Sequence, residues 1–181
     1  TKLDLVTADK KDSQGLCFIG KVRLPDFLQQ QLQPKEGQII EIPASFEDYK
    51  TETPLFDSKE EELVFRSRKF KYTVTDGVAL GTHQGAHYFT KGQRKGLAVG
   101  GTAEPLFVID TDVVDNIIYT GQGKNHPVLY RSVLLLQPSE VHWVRTDLAL
   151  KTGESLQVMV RIRYRQNLEH ASLYATTEGL Y

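Results

Sequence analysis

Residues 155–165 read SLQVMVRIRYR, and their alternation decides the fold class. Leu156, Val158, Val160 and Ile162 fall on one side of an extended chain; Gln157, Met159, Arg161 and Arg163 fall on the other. A period of two is that of a β-strand with one face on a core and one toward water. The same character recurs upstream in LFVID (106–110), NIIYT (116–120), VLYRSVLLL (128–136) and HWVRT (142–146), and downstream in SLYAT (172–176). Asp-Asn, Gly-Gln-Gly, Pro-Ser-Glu and Lys-Thr-Gly separate these runs. Short strands at regular spacing with turn signals between them predict an antiparallel barrel or sandwich. The runs are fewer than a closed small barrel needs.

Toward the N-terminus the pattern is mixed. Leu24–Leu32, LPDFLQQQL, predicts a helix: Pro25 and Asp26 suit a first turn, and Leu24, Phe27, Leu28 and Leu32 share a face. Pro34 and Gly37 stop it. Gln38–Ile42 reads as a short strand, and 43–69 as an inserted, solvated loop with Pro43, Pro54 and many charges. Phe70–Val74 alternates as a strand would, and Thr75-Asp76-Gly77-Val78 carries the Asp-Gly signal of a hairpin. Gly81–Gly101 is glycine-rich and reads as strand pieces joined by tight turns. The expected class is therefore mainly β with a small α+β part.

The chain of 181 residues has room for one ordinary domain or two small ones. No apolar run approaches the roughly 20 residues that span a bilayer, and TKLDLVTADKK is too polar for a signal peptide. A lone cysteine forms no internal disulfide, so the expected compartment is cytoplasmic, with no membrane partner. The net charge of −1 carries no global signature of a polyanion partner. Its distribution does more. Glu47, Asp48, Glu52, Asp57, Glu60, Glu61 and Glu62 face only Lys50 and Lys59 between positions 47 and 62, and Arg66, Arg68, Lys69 and Lys71 follow at once. An acidic segment of this kind conceals basic surface from a whole-chain sum.

Four motifs bear chemistry. Cys17 lies in KDSQGLCFIGK (11–21), flanked by Gly15 and Gly20 and near Lys10, Lys11, Lys21 and Arg23. A lone cysteine is more often a small buried hydrophobe, but positive neighbours favour its reactive thiolate. A hydrolase reading needs a base; His83, His87, His126 and His142 are available, and spacing aligns none of them with the thiol. His83 and His87 are four apart but lack the glutamate of a helical zinc motif, so no metal site is expected. GQRKGLAVGG (92–101) is not a Walker loop, though Lys91, Arg94 and Lys95 beside glycines suit a phosphate as well as they suit a plain tight connection. In RIRYRQ (161–166), Arg161, Arg163 and Arg165 alternate, and such a face either meets phosphates or is simply solvated.

The order of these motifs, DSQGLCFIGK, HQGAHYFTKGQRKGLAVGG, EPLFVID, GQGKNHP, HWV and RIRYRQ, closely resembles the bacterial tRNA-specific 2-thiouridylase family from about Asp12 to Gln166. The family is also called tRNA (5-methylaminomethyl-2-thiouridylate)-methyltransferase. The resemblance implies an enzyme that places sulfur on C2 of the wobble uridine of tRNA. It implies an N-terminal pyrophosphatase domain that uses ATP and Mg2+, a small central domain, and a translation-factor-like antiparallel β-barrel. It implies that Cys17 carries a persulfide received from a sulfur-carrier protein or a cysteine-desulfurase relay. A second cysteine outside this chain then forms a transient disulfide with it. It implies that Arg163 and Tyr164 contact tRNA, with Arg165, Gln166, Lys91, Arg94 and Lys95 as weaker candidates.

The chain departs from the family in having no S-G-G-x-D-S ATP loop and no partner cysteine. The resemblance is thus to a central and C-terminal portion, with the last barrel strands expected beyond Tyr181. The expected organisation is a cysteine-bearing loop at 1–22, a central domain at 23–104 with a charged insertion at about 43–70, and an incomplete barrel at 105–181. No cofactor is expected on this chain, ATP and Mg2+ belonging to the missing domain, and the chain alone is expected to be inactive. The alternatives are a non-catalytic RNA-binding module with an incidental cysteine, and a protein-interaction barrel.

Overall fold

The computed structural model describes residues 33–162 and 166–181. Cys17, the expected helix at Leu24–Leu32, and Arg163, Tyr164 and Arg165 lie outside the described residues. Among the described residues the protein is mainly β, with six strands and one α-helix. The chain forms two compact units. Unit 1 takes in Thr1–Ala44 and Thr73–Asn125; unit 2 takes in Ser45–Tyr72 and His126–Tyr181.

Unit 1 holds a four-stranded sheet of β1 (Gly37–Glu41), β2 (Val78–His83), β3 (Leu106–Asp112) and β4 (Ile117–Gln122), in the order β2-β1-β4-β3. β1 runs antiparallel to β2 and parallel to β4, and β3 and β4 pair as a hairpin. The sequence of β1, GQIIE, puts consecutive isoleucines on opposite faces, and Ile39 and Ile40 are both buried. Two adjacent buried apolar residues require cover on both faces, which marks a central strand. Ile39 packs with Ala86, Leu97, Leu106, Val108 and Ile118 to form the core.

The β3–β4 turn is fixed by its own side chains. Asp112 Oδ1 accepts the N–H groups of Val114 and Asp115, both at 2.9 Å. Asn116 then adopts φ 59°, a left-handed conformation that asparagine tolerates better than most residues.

Unit 2 holds α1 (Lys59–Ser67) and a two-stranded antiparallel ladder of β5 (Ser155–Val160) and β6 (Glu169–Tyr174). Ser58 Oγ accepts the Glu61 N–H at 3.2 Å and caps α1, and Glu60, Glu61 and Glu62 occupy the positive end of the helix dipole. Leu63 is its buried residue. Both sheets are open as described.

Several expectations are corrected at the level of elements. The solvated loop at 43–69 contains α1, because S-K-E-E at 58–61 is a helix start. The strand expected at Phe70–Val74 is irregular chain leading into a 3-10 turn at Val74–Asp76. Asp76 Oδ2 accepts the Thr73 N–H at 2.6 Å, so this aspartate closes a 3-10 turn and not a hairpin; β2 pairs instead with β1. VLYRSVLLL is not a strand: Pro127 starts a 3-10 turn at Pro127–Leu129, and only Leu136 makes a bridge, to Leu180. HWVRT is likewise not a strand: it is irregular chain up to Thr146, which opens a 3-10 turn at Thr146–Leu148. β5 ends at Val160, so Arg161 falls beyond the strand that was expected to carry it.

Candidate nucleic-acid interface

The loop bearing Lys91, Arg94 and Lys95 is held by its backbone. The Gly92 N–H donates to the Val108 carbonyl at 2.7 Å, and the Val108 N–H donates to the Gln93 carbonyl at 2.9 Å. This reciprocal pair stitches the loop onto β3. The Gln93 side chain accepts from the Thr90 N–H at 3.2 Å and donates to the Lys95 carbonyl at 2.8 Å. Gly92 and Gly96 have φ of 81° and 90°, a region that only glycine enters cheaply. Leu97, buried in the core of unit 1, anchors the end of the loop.

The result is a rigid backbone with its cations at the surface. Lys91 Nζ lies 2.8 Å from Asp110 Oδ1, a half-exposed pair worth about 0–1 kcal/mol. Arg94 and Lys95 are exposed. Their charges stand on a loop already ordered, so gripping a phosphate costs little further backbone entropy. The physical arrangement suits anion binding. Gln166, at the end of the RIRYRQ motif, is exposed.

Unit 1 also holds a polar knot that sequence reasoning missed. Asn116, buried, accepts the Ala86 N–H on Oδ1 at 2.9 Å and donates from Nδ2 to the Lys35 carbonyl at 2.9 Å. The Lys35 N–H reaches the Gln84 carbonyl at 3.2 Å. One side chain thus ties the chain entering β1 to the HQGAH turn after β2. A Cβ on Gly37 would lie 2.0 Å from the Asn116 carbonyl oxygen, so the two segments close only because residue 37 is glycine. The contacts join residues 30 and 81 positions apart, and no local pattern announces them.

The histidines separate. His83 ends β2, is buried, and accepts the Gly85 N–H on Nδ1 at 2.9 Å, while its Nε2 makes no hydrogen bond of good geometry among the described residues. Burial pushes its pKa below the ordinary value, and the carbonyls of Asn116 and Gln38 oppose that. His87 sits exposed in a 3-10 turn at Ala86–Tyr88. His126 is buried and His142 exposed, both in unit 2. No three His, Cys, Asp or Glu side chains among the described residues converge as a metal site. No helix among them is long and apolar enough to cross a membrane.

A second basic surface, in unit 2, combines arginines with rings. Arg68 lies over Phe65 at 4.3 Å and over Phe70 at 5.3 Å, and Arg131 lies 5.7 Å from Phe70. Arg131 Nη1 donates to the carbonyls of Ser67 at 3.3 Å and Arg68 at 2.8 Å, satisfying the C-terminal end of α1. Tyr49 packs edge-on to Phe70 at 4.9 Å, and its hydroxyl is 2.7 Å from that of Tyr72. Burial raises the Tyr49 pKa, so the ring stays a neutral phenol.

Residues 60–122 match the family model of the tRNA methyl transferase PRC-barrel domain. Over 98% of its length the chain is 64% identical to a protein of Christiangramia forsetii named tRNA-specific 2-thiouridylase MnmA, covering 45% of that relative. It is 59% identical over 99% of its length to the Flavobacterium johnsoniae protein of the same name, covering 46% of it. The corresponding protein of Karelsulcia muelleri is 45% identical over 99% of the chain. The chain spans less than half the length of these relatives.

Proposed function

We propose, on the premise that this chain belongs to the tRNA-specific 2-thiouridylase family, that it supplies the sulfur-carrying cysteine and part of the tRNA-binding surface of an enzyme that 2-thiolates the wobble uridine. The observation that carries this reading is similarity over 98–99% of the chain, a span that takes in both the Cys17 motif and the basic loop. In the proposed reaction Cys17, as a thiolate, takes a sulfane sulfur from a donor persulfide, and the donor leaves as a thiol. The donor is a sulfur-carrier protein or a cysteine desulfurase. The sulfur passes to C2 of the uridine, and a cysteine outside this chain closes a transient disulfide with Cys17.

ATP with Mg2+ supplies the leaving group at C2 when bound by a further domain. The described residues hold no carboxylate cluster that fits Mg2+, and no step of this chain's own residues runs through either group. Arg94 and Lys95, with Lys91, contact phosphates of the tRNA from their pinned loop. Arg163 and Tyr164, flanked by Arg165 and Gln166, contact the same ligand. The chain alone is inactive, and it works in the cytoplasm.

The test is reconstitution with the ATP-using domain, followed by mass-spectrometric measurement of 2-thiouridine. Cys17→Ser is expected to abolish thiolation while leaving tRNA affinity unchanged. Full thiolation by Cys17→Ser sinks the relay role and leaves an RNA-binding module. Arg94→Ala with Lys95→Ala is expected to weaken tRNA binding and to flatten its salt dependence by roughly one unit of slope per charge removed.

A further inference from the structure

The arginine and aromatic surface of unit 2 has no place in the relay or in the loop contacts described above. Its chemistry is specific enough to name what it takes. Tyr130 is 70% exposed beside Arg131, so its ring is open to a stacking partner. Phe70 is held from beneath by Tyr49, and Arg68 and Arg131 lie against its faces. Lys69 and Lys71, both exposed, flank Phe70 in the chain. A shallow cleft runs between these side chains, lined by Phe65, Arg68, Phe70, Tyr130 and Arg131.

No aspartate or glutamate lines the cleft. Glu62 is held by Lys59 and Arg66, at 2.8 and 2.7 Å, on the flank of α1. Asp48 presents its backbone carbonyl to Arg68 at 3.4 Å. Cations therefore outnumber acids at the cleft, and an open aromatic face stands among them. Unstacked nucleotides meet both features at once: every base has a π-face to stack, and every linkage has a phosphate to neutralise. An acidic peptide would use the charges and leave the ring unused.

We propose that this cleft is a second RNA contact, in which an unpaired nucleotide stacks on Tyr130 while Arg131, Arg68, Lys69 and Lys71 hold the flanking phosphates. The proposal deepens the reading of the chain as part of a tRNA-modifying enzyme and rests on it. The ligand class it names is a single-stranded or flipped-out stretch of RNA and not a duplex. Arg131 has a structural duty at the end of α1, so Tyr130 is the residue that separates binding from folding.

The experiment uses the full chain and a short single-stranded RNA carrying 4-thiouridine, with an RNA hairpin lacking unpaired bases outside its loop as the comparison. Near-ultraviolet crosslinking followed by peptide mass spectrometry is expected to mark Tyr130. Tyr130→Ala is expected to lower affinity for the single strand about 5- to 150-fold, the range that loss of one stacked base produces, and Tyr130→Phe is expected to restore it. The thermal midpoint of both variants should match that of the parent, as befits an exposed side chain. Crosslinks confined to residues 91–95, with affinity unchanged in Tyr130→Ala, would overturn this site and leave the tRNA reading standing. Absence of any RNA binding by the chain would overturn both. Displacement of the RNA by poly-glutamate at equal charge concentration would assign the surface to an acidic protein partner and overturn the proposal.

Discussion

In unit 1 the central strand β1 is walled on both faces, whereas in unit 2 the only described helix buries a single apolar side chain. Ten of the twelve buried apolar residues among those described belong to unit 1; Leu63 and Tyr181 are the two in unit 2. Unit 2 is held by other means: a capped helix, arginines stacked on rings, and a two-stranded ladder that is marginal without further cover. Leu55, Tyr130, Leu134, Val144 and Met159 of unit 2 remain exposed. The difference teaches where stability and recognition reside. Unit 1 draws its stability from apolar transfer and lends a stiff frame to the basic loop. Unit 2 keeps its rings and cations at the water boundary, where a ligand can use them.

The sharpest way to break that comparison is to remove one core side chain from each unit. Ile39→Ala leaves a cavity between β1 and its cover and is expected to cost about 2–5 kcal/mol, read as a lower urea midpoint. Leu63→Ala has fewer buried neighbours to lose and is expected to cost less. Hydrogen exchange supplies the spatial check: amides of β1 and β4 should lose protection in Ile39→Ala and keep it in Leu63→Ala. Equal losses, or loss of both units together in either variant, would show that the two are one cooperative body.

The strands of both units were partly legible in sequence. LFVID and NIIYT became β3 and β4, Gln38–Ile42 became most of β1, and the alternation at 155–160 became β5. The last is a local period-two signal, and the others are short apolar runs bounded by turn residues. α1 was hidden because its charges read as a solvated insertion, although S-K-E-E at 58–61 carried a helix-start signal. VLYRSVLLL failed in the opposite direction: its β-prone composition is overridden by Pro127, which has no N–H to give a ladder. Of the candidate site, the TKGQRKG loop was legible as composition, but its stitching to β3 and the Asn116 knot were not. Those depend on which distant carbonyls come within reach once the sheet has formed.

A smaller effect sharpens the comparison within unit 1. Asn116→Ala leaves the buried Ala86 N–H without an acceptor and places a Cβ residue without a polar side chain at φ 59°. The expected cost is about 2–3 kcal/mol. Asn116→Gly relieves the backbone and still loses both hydrogen bonds, so it is expected to fall between the parent and Asn116→Ala. Phosphate or tRNA affinity of the Lys91–Lys95 loop should fall with neither if the loop is held by β3 alone. A parallel loss of affinity and stability would show that the knot also sets the loop.

The smallest effect is pH dependence, and its sign follows from His83. Burial places the folded pKa of His83 below its ordinary 6.5, so the folded chain resists a proton that the unfolded chain accepts. Its contribution to stability is complete above about 6.5 and is lost as the pH falls toward the folded pKa. The electrostatic effect of His87 adds to the penalty on charging His83. The thermal midpoint of the parent is therefore expected to fall between pH 7.5 and 5.5, and that of His83→Gln to fall less from a lower starting value. The loss should appear first as faster exchange at β1 and β2, the strands that meet at the Gly37–His83 pair, and not at β5 and β6. Identical pH profiles for the two proteins would remove His83 from the account. A profile led by β5 and β6 would place the acid-sensitive element in unit 2, where the core is thin.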